Sequence, residues 1–202
     1  MNPAVKSTLL LFSFLVTSLL ATSCASFPKN QLPKVSVTQS AGGKKVPLTY
    51  KLTSGHNLTG TRVENPPAQN GNYEKLLVSA LEKSGRFSSV KSGSGGAVHL
   101  DVDMLNHGNG GLAFVSGFVS GFTLLAIPGG GSDNYTLTAT ARTSSGRSRH
   151  YRLDDGVTTI FWAPLIFAAP FSSPMKVMPE VQENLFAHLV PAMEKDGMIP
   201  RK

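Results

Sequence analysis

The chain has 202 residues, 15% of them charged and 41% hydrophobic, with a formal net charge of +7. That length and mix exclude a disordered chain and suit one β-rich domain of ordinary size. A basic balance draws anionic lipid, glycan or nucleic acid, or simply keeps a surface soluble, and the single cysteine rules out an internal disulfide.

Lys6 opens the chain with positive charge, and Leu9 to Leu20 is an apolar run broken only by Ser and Thr. Small residues follow, Ala21-Thr22-Ser23, and then Cys24. A short apolar core before small residues predicts a secretory signal over 1–23, too short for a good membrane span. The motif Leu20-Ala21-Thr22-Ser23-Cys24 resembles the lipobox of bacterial lipoproteins, with Ala21 where Leu is commonest. That resemblance implies cleavage before Cys24, a diacylated thiol and an acylated new amine. Ala25, rather than Asp, follows the cysteine. By resemblance to enterobacterial lipoproteins this implies sorting to the outer membrane, facing the periplasm.

Residues 24–33 hold Pro28 and Pro33 and read as a short tether. One domain is expected over 34–197. Val35 and Val37 alternate with polar residues as a first strand, and Val46, Leu48, Tyr50 and Leu52 as a second. Gly42-Gly43 would turn between them. Residues 54–71 read as loop. Asn72 could cap a helix whose stripe is Tyr73, Leu76, Leu77, Ala80 and Leu81, stopped by Gly85. Phe87 and Val90 fall in a connector. Residues 97–105 form a strand with Val98, Leu100, Val102 and Met104 on one face.

No charge appears from Met104 to Ser132. Within that zone Gly111 to Pro128 is apolar all round, and Gly129-Gly130-Gly131 reads as a flexible exit. A hairpin follows: Tyr135, Leu137, Ala139 and Ala141 alternate with polar residues, Ser144-Ser145-Gly146 turns, and Tyr151 and Leu153 return. A second charge-free run spans Gly156 to Met175, where Pro164 and Pro170 forbid one straight helix. The last helix carries Val181, Leu185, Leu189 and Met193 four apart, with Pro191 expected to kink or fray it. The expected fold is α+β: one mostly antiparallel sheet, two amphipathic helices on one face, and two apolar segments flanking a hairpin.

Two motifs carry a further resemblance: Ser120-Gly121-Phe122-Thr123-Leu124 with Ile127-Pro128 and Tyr135-x-Leu137, and Trp162-x-Pro164-Leu165-Ile166-Phe167-x-x-Pro170-Phe171. Together they resemble a group of small bacterial envelope lipoproteins, over residues 73 to 190. The resemblance implies no particular activity. The element order also resembles the α+β domains of periplasmic assembly lipoproteins, a likeness of architecture that does not fix function.

No nucleophile elbow, His-Glu-x-x-His, Walker loop or dinucleotide fingerprint is present, and no cofactor is expected. His99, Asp101 and Asp103 sit at alternate strand positions, with His107 near, and could hold a divalent metal; more simply, they are the polar face of a strand. Arg142, Arg147, Arg149 and Arg152 gather at the hairpin turn as candidates for an anionic polymer. Charge on an exposed edge also discourages aggregation. Nucleic acid is not expected of an exported chain without an aromatic-interleaved platform.

For 111–128 three readings stand: buried core, an interface with another envelope protein or a second copy, or a membrane-facing segment. Gly117 and Gly121, with Ser116 and Ser120 beside them, give a small-residue face on which helices can approach closely, and Phe114, Phe118, Phe122, Phe161 and Trp162 are the candidate membrane or interface residues. A hairpin joins the two runs, so they must emerge side by side, opposite the basic turn. The reading that results is a lipid-anchored, non-enzymatic accessory or assembly subunit of the bacterial envelope. Its alternatives are a binder of an anionic envelope polymer and, after it, a metal-dependent hydrolase.

Overall fold

The computed structural model describes residues 24–35, 45–108, 110–168 and 170–200. The expected signal (1–23), Val37 and the Gly42-Gly43 turn lie outside them. Among the described residues the order is β1 (Cys24–Pro28), β2 (Val46–Asn57), β3 (Val63–Glu64), α1 (Pro67–Lys83), β4 (Phe87–Ser92), β5 (Val98–His107), α2 (Gly110–Phe122), β6 (Gly129–Thr143), β7 (Ser148–Phe161), a 3-10 turn (Ala163–Phe167) and α3 (Pro174–Lys195).

The strands form one seven-stranded sheet in the order β1-β7-β6-β5-β2-β3, with β4 also on β2. β2 runs parallel to β4 and β5; the other pairings are antiparallel. The fold is therefore α+β, mostly antiparallel, as the alternation predicts. Strand period two sends Leu100 and Met104 (0% exposed) to one face while His99, Asp101 and Asp103 take the other. On β6, Tyr135, Leu137, Ala139 and Ala141 continue that inner face.

α1 and α3 cover the inner face. α1 buries Tyr73, Leu77, Ala80 and Leu81, and α3 buries Val181, Leu185, Leu189 and Met193 at the expected four-residue spacing. Lys83 and Ser79 of α1 both donate to Glu183 of α3, at 2.6 and 2.9 Å. Arg86, buried behind them, pairs with Glu194 and donates to the Pro200 carbonyl. A guanidinium taken out of water needs that carboxylate.

Several boundaries differ from expectation. Residues 24–33 do not form a simple tether: Cys24–Pro28 is an edge strand paired with β7, with Ala25 and Ser26 wholly buried. Five residues containing one Pro gave too little alternation to announce a strand. Val35 is in no strand; its N–H donates to Asn184 of α3 instead. The loop expected over 54–71 contains the end of β2, all of β3 and the first turn of α1, which begins at Pro67 rather than after Asn72. Proline at the first helical position loses no bond, since that N–H has no partner in any helix. The connector at 87–90 is β4, held by backbone pairing to β2 that polar Ser88 and Ser89 do not signal. Pro191 does not end α3, which runs to Lys195. The ring sits on the exposed side, where neighbouring groups reach water.

Leu185 touches no solvent and lies in the core that joins α3 to the sheet. Leu185→Ala is expected to cost about 3 kcal/mol, read as a lower urea midpoint with unchanged slope.

Candidate functional site

The three glycines after the first apolar run are not a flexible exit. They are the first residues of β6, and α2 packs flat on them. A Cβ at Gly129 would stand 2.7 Å from the Ser120 Cβ and closer still to the Ser116 carbonyl; one at Gly131 would stand 3.0 Å from the Ala113 Cβ. Only glycine lets the helix approach so closely. The Ser116 hydroxyl donates to the Gly130 carbonyl and accepts from the Gly130 N–H, and the Ser120 hydroxyl donates to the Phe161 carbonyl at 3.2 Å. Ala113, Ser116 and Ser120 therefore form the seated stripe of α2.

The rest of α2 faces outward. Only Ser120 is fully buried, while Leu112, Phe114, Val115, Phe118 and Phe122 are exposed, Phe122 by 83%. This excludes buried core for 111–128: the sheet face is already covered by α1 and α3, so α2 has only the glycine strip to sit on. Phe118 and Phe122, one turn apart, stack at 6.4 Å between ring centroids. Gly117 and Gly121 have nothing within 4 Å of where a Cβ would be. Their small-residue face is open.

The helix ends in a strained turn. Leu124 and Leu125 both hold positive φ, 51° and 62°, a left-handed geometry that costs a non-glycine residue about 1–2 kcal/mol. The Leu125 N–H bonds the Ser120 carbonyl at 2.7 Å, and the Leu125 carbonyl accepts from Ala163 at 3.0 Å. The turn presents Leu124 outward, 64% exposed, and ties the first apolar run to the second.

The second run ends beside it. Gly129 is opposite Phe161 in the register of β6 and β7, so the two runs emerge side by side. Trp162, Phe167, Phe171 and Met175 are exposed there. Five phenylalanines, at 114, 118, 122, 167 and 171, are each 66–85% exposed on the two runs. Phe161 itself is only partly exposed.

Cys24 enters the same end. Its register partner is Phe161, so Cys24, Phe161 and Gly129 stand abreast on three adjacent strands. Burial pushes the Cys24 thiol above its ordinary range, the opposite of an activated nucleophile. Among the described residues no helix is long and apolar enough to cross a membrane.

The other candidate residues lie on the open face of the sheet or at the far turn. Asp103 accepts from both terminal nitrogens of Arg62, each at 2.7 Å, and from Thr53 at 2.8 Å. Asp101 accepts from Arg142 at 2.6 Å, and His99 bonds Thr49 through Nδ1 at 3.0 Å. The carboxylates of the proposed metal trio are thus taken by arginines, and the described residues hold no group of three or more His, Cys, Asp or Glu arranged for a metal ion. The basic cluster is divided. Arg142 serves Asp101, Arg152 pairs with Asp154 at 3.3 Å, Arg147 donates to the Asp196 and Gly197 carbonyls at the end of α3, and Arg149 donates to the Ser148 carbonyl.

The sequence pattern placed Ser116 and Ser120 on a small-residue face but did not pair them with Gly129 and Gly131, and it left Leu124, Phe167, Phe171 and Met175 out of the outward candidates. The two charge-free runs were the available signal. What they could not tell was which side chains face the sheet.

No protein-family model matches the chain, and no curated protein does. Among solved structures it is similar to protein XCC0632 from Xanthomonas campestris, of the family DUF330: 14% identity, 82% of this chain and 92% of that one, TM-score 0.39. It is also similar to the PelC dodecamer from Paraburkholderia phytofirmans: 10% identity, 89% of this chain and 99% of that one, TM-score 0.35. These are partial likenesses of backbone path.

Gly129→Val should lift α2 from its seat. Overpacking of about 1–3 kcal/mol predicts amide exchange over 113–120 faster by about tenfold or more, with β5 amides unchanged. A second prediction concerns pH. The Arg62 guanidinium beside Asp103 holds its carboxyl below the usual range. A carboxyl lowered by folding contributes stability above its unfolded value, near pH 4, and loses it as pH falls through the folded value. Asp103→Asn should therefore flatten the acid loss of stability below about pH 4, by less than about 1 kcal/mol because the pair is part exposed. Urea midpoints across that range measure it.

Proposed function

We propose that the protein is a lipid-anchored subunit of the bacterial envelope, held through Cys24, with a non-enzymatic accessory or assembly role. The observation that carries this is the coincidence of two features at one end of the sheet. One is the exposed, charge-free surface of α2 and the 3-10 turn. The other is the strand that begins at the lipobox cysteine. A diacylated Cys24 would put its chains beside that surface, and more than one chain makes attachment stable. The outer membrane, facing the periplasm, is the proposed location, from Ala25 after the cysteine. The apolar end would then meet the membrane or a neighbouring envelope protein. Catalysis has no support in the geometry: the carboxylates on the open face are bound to arginines, and the thiol is raised rather than lowered.

The test is Cys24→Ser in cells fed radiolabelled palmitate. The wild-type chain should take up label and pellet with the outer membrane. The variant should lose all label and be retained unprocessed or released. Label that persists in the variant would reject the anchor.

A further inference from the structure

We infer that the occupant of the apolar end is the lipid leaflet itself, entered by α2, the Leu124–Ile127 turn and the 3-10 turn. This rests on the lipid-anchor reading above and goes beyond it by choosing lipid over a protein partner and by fixing the domain's orientation.

The first ground is continuity with the anchor. Cys24 is paired in the sheet, opposite Phe161, which is opposite Gly129 under α2. Two strand spacings are about 10 Å, so the acyl chains would start within that distance of the helix seat. No slack separates the anchor from the folded domain.

The second ground is how the polar groups of this end are used. Hydrocarbon tolerates only backbone whose polar groups are satisfied internally. The Thr123 hydroxyl donates into the helix end, with the Val119 and Ser120 carbonyls at 3.0 and 3.1 Å as its acceptors, and accepts from the Ile127 N–H at 3.2 Å. Leu124 and Leu125 N–H close onto Gly121 and Ser120. Ser116 and Ser120 turn to the β6 and β7 backbone. These hydroxyls turn inward, and the surface has no charge from Met104 to Ser132 or from Gly156 to Met175. A protein interface keeps a polar rim with about one hydrogen bond per 100–200 Å²; on α2 and its turn the hydroxyls of Ser116, Ser120 and Thr123 are already engaged by the protein's own backbone.

The third ground is length. The 13 residues of α2 span about 20 Å, short of the ~30 Å hydrocarbon core. The helix can lie in the interface and cannot cross. Trp162 stands at its border, 38% exposed, where indole favours the headgroup level. The hairpin then projects away: thirteen residue steps from Gly129 to Arg142 put the arginine-bearing turn about 45 Å from the leaflet.

The chain's single tryptophan makes the test direct. Full-length protein purified from membranes is reconstituted in phosphatidylcholine vesicles, with or without bromine on the acyl chains, and its acylation is read by mass spectrometry. Trp162 emission should be blue-shifted and quenched by about twofold or more with bromines near the headgroup, and less with bromines near the chain end. Phe118→Glu with Phe122→Glu, both at exposed positions, should abolish quenching and keep acylation. A spin label on Ser145→Cys should stay open to a water-soluble relaxant. Acylated, vesicle-bound protein whose Trp162 ignores bromine would overturn the inference and leave the anchor standing. So would cross-links at position 118 joining two copies or a second protein. Unacylated protein with quenched Trp162 would overturn the anchor and keep the inference. Unacylated and unquenched protein would overturn both.

Discussion

A hairpin returns to where it began. That constraint decides the layout of this molecule, because the two uncharged segments of the chain are attached to the free ends of one hairpin. β6 starts at Gly129 and β7 ends at Phe161, and the two are register partners. The segments have no choice but to share an end of the sheet. β1 adds Cys24 to the same end by pairing antiparallel with β7. The arginines of the turn are carried to the opposite end.

What the shared end can do follows from how full the inner face already is. α1 and α3 cover the sheet from Val98 to Val157, and their side chains complete the core. A third helix has only the rim of the sheet left. Three glycines make that rim flat enough to hold one stripe of α2, through Ala113, Ser116 and Ser120. The remaining sides of an apolar helix are left in the open. Burying them is worth far more than the strain stored at Leu124 and Leu125, so some apolar medium is the natural complement of this end.

The open face of the sheet shows the opposite economy. Each of its central aspartates is paired on the molecule itself: Asp103 with Arg62, Asp101 with Arg142, Asp154 with Arg152. Such exposed pairs add little stability, but they leave few carboxylates or guanidiniums free to seize a ligand. Sequence spacing had grouped His99, Asp101 and Asp103 as a trio because they share a strand face. Arg62, just before β3, and Arg142 of β6 divide them, and no spacing rule along one strand can see a neighbour across the sheet.

By itself the sequence determined the fold class, the inner-face residues of β5 and β6, the stripes of α1 and α3, and the existence of two charge-free runs. Those are local matters: period two or near four, and the absence of charge. It also determined, through the hairpin between them, that the runs emerge together. Only the tertiary structure decided that α2 is exposed rather than buried, that Gly129 to Gly131 are a seat, and that Cys24 begins a strand. The physical reason is that exposure depends on what else has filled the core. The space left for α2 was set by α1 and α3, whose packing no run of residues near 111–128 encodes.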